Sequence, residues 1–475
     1  MERLYWDKIT SEKRIPEIKK EQDYRGYRSE MESDYLRIIR SASFRRLQDK
    51  TQVFPLDHSD FVRTRLTHSL EVASIAKLIA KQVCEKITDL ALEDEAKQPD
   101  ALTVIETLNC ASLLHDIGNP PFGHFGESAI RNWFVKNLDE LCFQGKPLSA
   151  YLNEAQKYDL YYYEGNAQAL RIVLKLHRHV SSYGMHLTSA VMDTIIKYPC
   201  NALDKFTEDH KPKAERSLLK KKIGYFQSEI KEYHQIKENT GCKDCRNPLA
   251  FILEAADDLA YTFADLEDGY KKGLYSYEQL HDLVAKEDSE RSLQLLEKGL
   301  FDAMRLKEQK EKGFDPYQQA VFEWLSRKQL YCISCVRNAF IDHYEEIMNG
   351  TFAQELLTCS SEAALIKALK KFAYEKIYMI APILKLELMG NEILTFLMDR
   401  FMEALIVYDS DTEMSEIQEK YIDLLSRNYL DAYHRSTKNK KAEEKLYERL
   451  LLGCDFIVGM TDSYAKRLYQ ELKGI

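Results

Sequence analysis

The chain is poor in the residues that punctuate a fold: only 18 Gly and 11 Pro interrupt 475 residues. That scarcity disfavours an architecture of many tight turns and points to long helices with short connections. Strand signals are scarce as well, and neither an internal repeat nor a low-complexity tract is present. No stretch approaches the roughly 18 consecutive apolar residues of a membrane span. The opening Met1-Glu2-Arg3-Leu4-Tyr5-Trp6-Asp7-Lys8 lacks an apolar signal core. A cytoplasmic protein with no membrane partner is therefore expected. There is no cationic excess either, since 67 Lys and Arg face 76 Asp and Glu for a net charge of −9. This excludes a chain-wide attraction to nucleic acid or anionic lipid, so any phosphate-binding surface must be local.

What is present is ample material for a core, with 45% hydrophobic residues, 29 Tyr and 20 Phe. Apolar residues recur at helical spacing over Leu70, Ala73, Ile75-Ala76, Ile79-Ala80 and Val83, over Val104 to Leu114, and in several segments beyond Tyr317. The expected fold class is all-α. Breaks are expected at Gly118-Asn119-Pro120-Pro121-Phe122-Gly123 and at Gln144-Gly145-Lys146-Pro147. The polar segments Thr207–Lys222 and Lys237–Pro248 read as exposed connections within an insertion near 200–248. The division expected is a catalytic core over 1–275 and a helical region over 276–475 that packs on it and forms subunit contacts.

Local basic clusters occur at Arg45-Arg46, at Arg63 with Arg65, at Lys220-Lys221-Lys222 and at Lys438-Asn439-Lys440-Lys441. The lysine runs read as solvated faces. Ten cysteines in a cytosolic chain read as reduced thiols. Cys242 and Cys245, and Cys332 and Cys335, form two C-x-x-C pairs, but the second lies in an apolar helical run and the separation far exceeds that of a zinc ribbon.

The candidate chemistry rests on His68, on the neighbours His115 and Asp116, and on Asp257. Two imidazoles and two carboxylates suit a divalent ion used as a Lewis acid, Mg or Mn first, with Fe or Ni also admitted. His115 and Asp116 stand about 100° apart on a helix, so both reach one ion only where the helix is ending. Asp257, Tyr261 and Asp265 are spaced by four and form one helical stripe, from which Asp258 departs. His124 and Glu127 lie three apart after the Pro-Pro turn, which lets a carboxylate orient an imidazole for proton transfer. Arg65, three before His68, is placed to reach phosphate oxygens.

The blocks around these residues resemble the deoxyguanosinetriphosphate triphosphohydrolase family of the HD phosphohydrolase superfamily. They are F-R-R-L-Q-D-K-T-Q-V-F-P-L at 44–56, V-R-T-R-L-T-H-S-L-E-V at 62–72, H-D-I-G-N-P-P-F-G-H-F-G-E at 115–127, Y-E-G-N-A-Q at 163–168, E-A-A-D-D-L-A-Y-T-F-A-D-L-E-D at 254–268 and V-G-M-T-D-S-Y-A at 458–465. They stand in the family's order along nearly the whole chain.

The resemblance implies an HD-type helical core and hydrolysis of dGTP to deoxyguanosine and inorganic triphosphate, by attack of a metal-associated water at the α-phosphorus. It implies that His124 and Glu127 are the catalytic pair. It also implies that Asp265 bonds the sugar 3′-hydroxyl while Tyr261 closes the space of a 2′-hydroxyl. Lys197, Tyr198, Asn166 and Gln168 become phosphate or sugar contacts by position. Gly165 stands where broader dNTP-hydrolysing relatives carry a histidine. Gln52 is a candidate for the purine edge, and Glu387 for guanine N1 and N2 as a neighbouring subunit's contribution. A homo-oligomer, a hexamer built from dimers, is implied, and coupling to single-stranded DNA is admitted. The competing readings are an HD phosphohydrolase of broader dNTP specificity and a nucleotide- or DNA-responsive binding protein.

Overall fold

Several helices begin where a side chain satisfies free backbone groups of the first turn. The computed structural model describes residues 2–17, 28–56, 59, 61–177, 183–307 and 314–475. Helix α1 (Glu30–Ile39) opens on a reciprocal cap in which Ser29 and Glu32 each accept the other's backbone N–H. Thr64 and Thr67 do the same for α2 (Arg65–Asp89), and Asp100 accepts two N–H groups at the start of α3 (Ala101–Leu114). The next helices are α4 (Gly123–Asn137), α5 (Gly165–Arg171), α6 (Ser189–Thr194) and α7 (Ile230–Thr240). Asn247 caps α8 (Pro248–Lys271), whose Pro248 sits in the first turn, where a missing N–H is harmless. The second half supplies α9 (Pro316–Asp342), α10 (Ala363–Ala373), α11 (Ala381–Val407), α12 (Leu446–Val458) and α13 (Asp462–Lys473).

The fold is all-helical, as its Gly and Pro content predicts. Among the described residues the only sheet is a hairpin of β1 (Cys142–Phe143) and β2 (Lys146–Pro147). Gln144 and Gly145 turn it with φ of 47° and 78°, the pair of left-handed residues that a two-residue hairpin needs.

Helix α2 packs on α3 and α8, and α8 in turn packs on α9 and α10. On the other side α11 packs on α4, α12 and α13. One apolar cluster runs through all of these helices and joins both halves of the chain. The periodic residues Ala73, Ile75, Ala76, Ile79, Ala80 and Val83 are buried in it. Leu70 of the same pattern is not: it is 51% exposed, because it lies beyond the edge of the stripe. Helix α12 is buried on every side. No helix among the described residues is long and apolar enough to cross a membrane.

The polar segments depart in part from expectation. Residues 211–216 are exposed, but the 237–248 stretch is largely internal. Lys237 is 1% exposed, pairs with Asp193 at 2.6 Å and donates to the Cys245 carbonyl at 2.8 Å. Arg246 and Asn247 are equally enclosed, pairing with Glu254 and Asp193. Charge here marks a buried ionic network and not a solvated loop. All ten cysteines are free thiols.

Candidate active site

The end of α3 brings the adjacent pair to one point. His115 is the residue that closes the helix and Asp116 lies in the turn beyond, where the backbone redirects both side chains. With His68 of α2 they present ligand atoms within 4.8 Å of one another. Asp257 of α8 reaches the imidazoles, its Oδ1 standing 3.0 Å from His68 Nε2 and 3.6 Å from His115 Nε2. His115 Nδ1 donates to the Ser112 carbonyl at 2.7 Å, which fixes the ring and turns Nε2 toward the carboxylates. That Nε2 is buried with no hydrogen-bond partner. Arg65 Nη1 and Asn119 Nδ2 each lie 2.5 Å from Asp116 and hold its two oxygens. The arrangement fits a divalent cation: oriented imidazole and carboxylate donors, one buried donor atom unsatisfied, and a second layer of hydrogen bonds.

Electrostatics agree. Burial presses the His115 imidazolium down, but the Asp116 and Asp257 carboxylates outweigh it and hold its pKa at about 9, so a divalent cation bound there would displace a proton from Nε2. Against the same burial, Arg65 and then His115 hold Asp116 down to about 2, and the two imidazoles hold Asp257 well below the usual carboxylate range.

The Gly118–Phe122 turn then delivers the second pair. Phe122 adopts a left-handed conformation at φ 62°, Gly123 follows at 60°, and α4 begins. His124 Nδ1 lies 3.2 Å from Glu127 Oε2, with the imidazole three-quarters exposed to the cavity and the carboxylate buried. Glu127 Oε1 accepts the Gly165 N–H at 2.9 Å. Burial opposes its charge, yet His124, Lys222 and the Gly165 amide keep its pKa at about 2.

Gly165 itself stands tightly enclosed. A Cβ there would lie 2.5 Å from Asn119 Oδ1 and 2.7 Å from Glu127 Oε1. The glycine therefore has a local packing reason, independent of any choice of base.

His115, Asp116, Asp257 and His124 line one cavity of about 880 Å³, with His68 and Glu127 buried behind them. Lys197, Tyr198 and Asn166 line it on one side, and Lys197 is paired with Glu254 at 3.1 Å. Tyr261 and Asp265 line another wall as the stripe requires. Tyr378, from the π-helical turn Tyr374–Tyr378 after α10, donates to Asp265. Burial pushes the Asp265 carboxyl up to about 7. Gln52 reaches the cavity from the loop before α2, with its Oε1 buried and unpartnered.

Four placements differ from the sequence reading. Gln168 is fully buried away from the cavity and donates to Asp455, because its position on α5 faces α12. Glu387, expected as a neighbouring subunit's contribution, lines the cavity of its own chain together with Ile383 and Leu384 of α11. Asp258 is in the wall after all, paired with Lys370 of α10 at 2.9 Å, because the cavity curves around α8. Lys222 is only partly solvated: 30% exposed, it pairs with Glu164 at 2.7 Å and stands 4.0 Å from Glu127, while the exposed Lys221 also lines the cavity. Nothing in the local run of lysines signals this. Arg65, read as a phosphate ligand, spends one guanidinium nitrogen on Asp116.

Comparison with known proteins agrees with this geometry. The HD domain family matches residues 65–262, and the phosphohydrolase-associated domain family matches 357–471. Over 99% of this chain and all of the relative, the sequence is 42% identical to a deoxyguanosinetriphosphate triphosphohydrolase-like protein of Listeria monocytogenes. It is 33% identical to a deoxyguanosinetriphosphate triphosphohydrolase of Yersinia enterocolitica over 93% of each chain. A deoxyguanosinetriphosphate triphosphohydrolase-like protein of Synechocystis is 31% identical over 99% of this chain.

Proposed function

Because this chain belongs to the deoxyguanosinetriphosphate triphosphohydrolase family of HD phosphohydrolases, we propose that it hydrolyses dGTP to deoxyguanosine and inorganic triphosphate. The observation that carries the reading is the convergence of the imidazole and carboxylate cluster, the His124–Glu127 pair and several cations on one cavity. His68, His115, Asp116 and Asp257 would hold a divalent cation, Mg or Mn. Bound there, it supplies Lewis-acid stabilisation of charge on the α-phosphate.

The chain's own residues do the rest. Glu127, fixed by the Gly165 amide, orients His124 so that its ring moves a proton between water and the scissile α-phosphate ester. Lys197, Lys222 and the remaining guanidinium donors of Arg65 neutralise phosphate oxygens, with Tyr198 and Asn166 as positioning contacts. Tyr261 and Asp265, with Tyr378 behind the carboxylate, take the deoxyribose and exclude a 2′-hydroxyl. Gln52 and Glu387 take the guanine edge. We also assign the protein to the cytoplasm, as a homo-oligomer built on the family's plan, with residues 1–275 as the catalytic core.

Incubation with each dNTP and with GTP, in Mg or Mn, followed by ion-exchange analysis of products, tests the reading. Deoxyguanosine and intact triphosphate from dGTP alone are expected. Equal release of triphosphate from all four dNTPs would remove the roles of Gln52 and Glu387, while stepwise loss of phosphate would overturn attack at the α-phosphorus.

A further inference from the structure

The V-G-M-T-D-S-Y-A block takes no part in the chemistry described so far, although its residues reach the site from the far end of the sequence. Asp462, the first residue of α13, is 2% exposed. Its two oxygens serve different loops. Oδ1 accepts the Phe122 N–H at 3.0 Å, and Oδ2 accepts the Thr51 N–H at 3.0 Å and the Thr51 hydroxyl at 2.5 Å. Four residues back, the Val458 carbonyl accepts from Lys50 Nζ at 2.7 Å, and the same ammonium donates to the Asn119 carbonyl at 2.6 Å.

We infer that Asp462 is a positioning residue for this site, a clamp that holds the Gln52 loop and the turn before His124 in one register. The argument rests on which atoms are tied. Phe122 is the left-handed residue immediately before Gly123 and His124, and its N–H has the Asp462 carboxylate as acceptor. A non-glycine residue in that conformation is strained and persists only where its surroundings hold it there. A carboxylate accepting that N–H is a strong restraint, because hydrogen bonds to a charged group are roughly twice as strong as neutral ones. Thr51 is the immediate neighbour of Gln52, so the same carboxylate also sets the side chain assigned to the base. The start of α13 suits a negative charge. Lys50, fully buried with both contacts on carbonyl oxygens, closes the second strut between residue 458 and the turn.

The inference rests on the roles assigned above to His124 and Gln52, and its test separates the two. Hydrogen exchange, read by mass spectrometry with fragmentation, is compared for the full-length wild type, Asp462→Ala and Thr51→Val, alongside kcat, KM and metal content. In Asp462→Ala the amides of Thr51 and Phe122 exchange about tenfold or more faster, while segment 248–271 is unchanged. With dGTP, kcat falls and KM rises at full metal content. Asp462→Asn, which keeps one acceptor, recovers part of both. Thr51→Val loosens only the 50–52 segment and raises KM without moving kcat. Equal acceleration of every segment with unchanged kcat and KM in the folded fraction would mean that Asp462 merely stabilises the fold, and would overturn the inference. Unchanged exchange at Thr51 and Phe122 would do the same. A wild type that is idle on dGTP, with the local exchange effect intact, supports the clamp and counts against the substrate reading instead.

Discussion

Gly165→Ala tests the geometry with a single methyl group. On the present backbone that methyl stands 2.5 Å from Asn119 Oδ1, 2.7 Å from Glu127 Oε1 and 3.4 Å from the Gly118 carbonyl. Ordinary contacts lie near 3.5–4.0 Å, so about 1 Å must be found. Both crowded oxygens belong to groups that serve the site: Asn119 braces Asp116, and Glu127 braces His124. The overpacking itself costs about 1–3 kcal/mol, which a chain with this extent of core absorbs. Displacing a catalytic group by about 1 Å costs on the order of a hundredfold in rate. The expectation is a fall of about 30- to 100-fold in kcat with a Tm only a few degrees lower. Because the methyl acts through the Glu127 carboxylate, Glu127→Ala should cost much less in the Gly165→Ala background than in the wild type. Steady-state kinetics of the four proteins, with thermal unfolding and metal analysis on the same preparations, decide the matter. Turnover within about threefold of wild type, or a Glu127→Ala cost identical in both backgrounds, would refute the reasoning.

His68→Ala and Asp257→Ala should lose bound divalent metal and activity together, as elemental analysis would register. His124→Ala should keep metal and nucleotide binding and lose about a hundredfold in turnover. Arg171, buried between Asp455 at 2.8 Å and Glu229 at 2.8 Å, joins α5 to α12; Arg171→Met leaves the buried Asp455 with only the Gln168 amide while Glu229 keeps Lys175, and should cost about 3–5 kcal/mol in urea unfolding. Burial pushes the Asp159 carboxyl up to about 8, although Tyr447 and the Gln227 amide donate to it. Its unfolded value is near 4, so the folded state holds the extra proton between about 4 and 8, and the stability this gives is lost as pH rises through 8. Asp159→Asn carries no such proton, and its Tm advantage over the wild type should widen from pH 6 to 9; a constant difference would contradict this.

The residues that were legible in the sequence are those placed by regular helix. Asp257, Tyr261 and Asp265 share a wall because α8 runs unbroken from Pro248 to Lys271, so spacing alone determines their face. His115 and Asp116 reach one point because the Gly-Asn-Pro-Pro that follows them can only end a helix. The misreadings share a different cause. Lys222, Lys237 and Arg246 are charged, and charge in a short window reads as solvent exposure. Their carboxylate partners Glu164, Asp193 and Glu254 lie 58, 44 and 8 positions away, respectively. Gln168 sits within a site motif but points at α12, whose place on α5 depends on tertiary packing. Glu387 lines the cavity of its own chain, a place that no local pattern on α11 signals.

The struts from residues 458 and 462 also set an order of events during synthesis. Thr51 and Asp462 are 411 positions apart, and Lys50 and Val458 are 408 apart. At 5–20 residues per second a ribosome makes Thr51 roughly 20–80 seconds before Asp462. For that interval α2 and α3 can pack and bring His68 to His115, while the Lys50 ammonium has no carbonyl from residue 458 and the turn before His124 has no carboxylate to hold it. The His68, His115 and Asp116 cluster can thus form on a nascent chain well before the turn and the Gln52 loop are locked, so the newborn chain assembles the proposed ion site before the surroundings proposed to act with it.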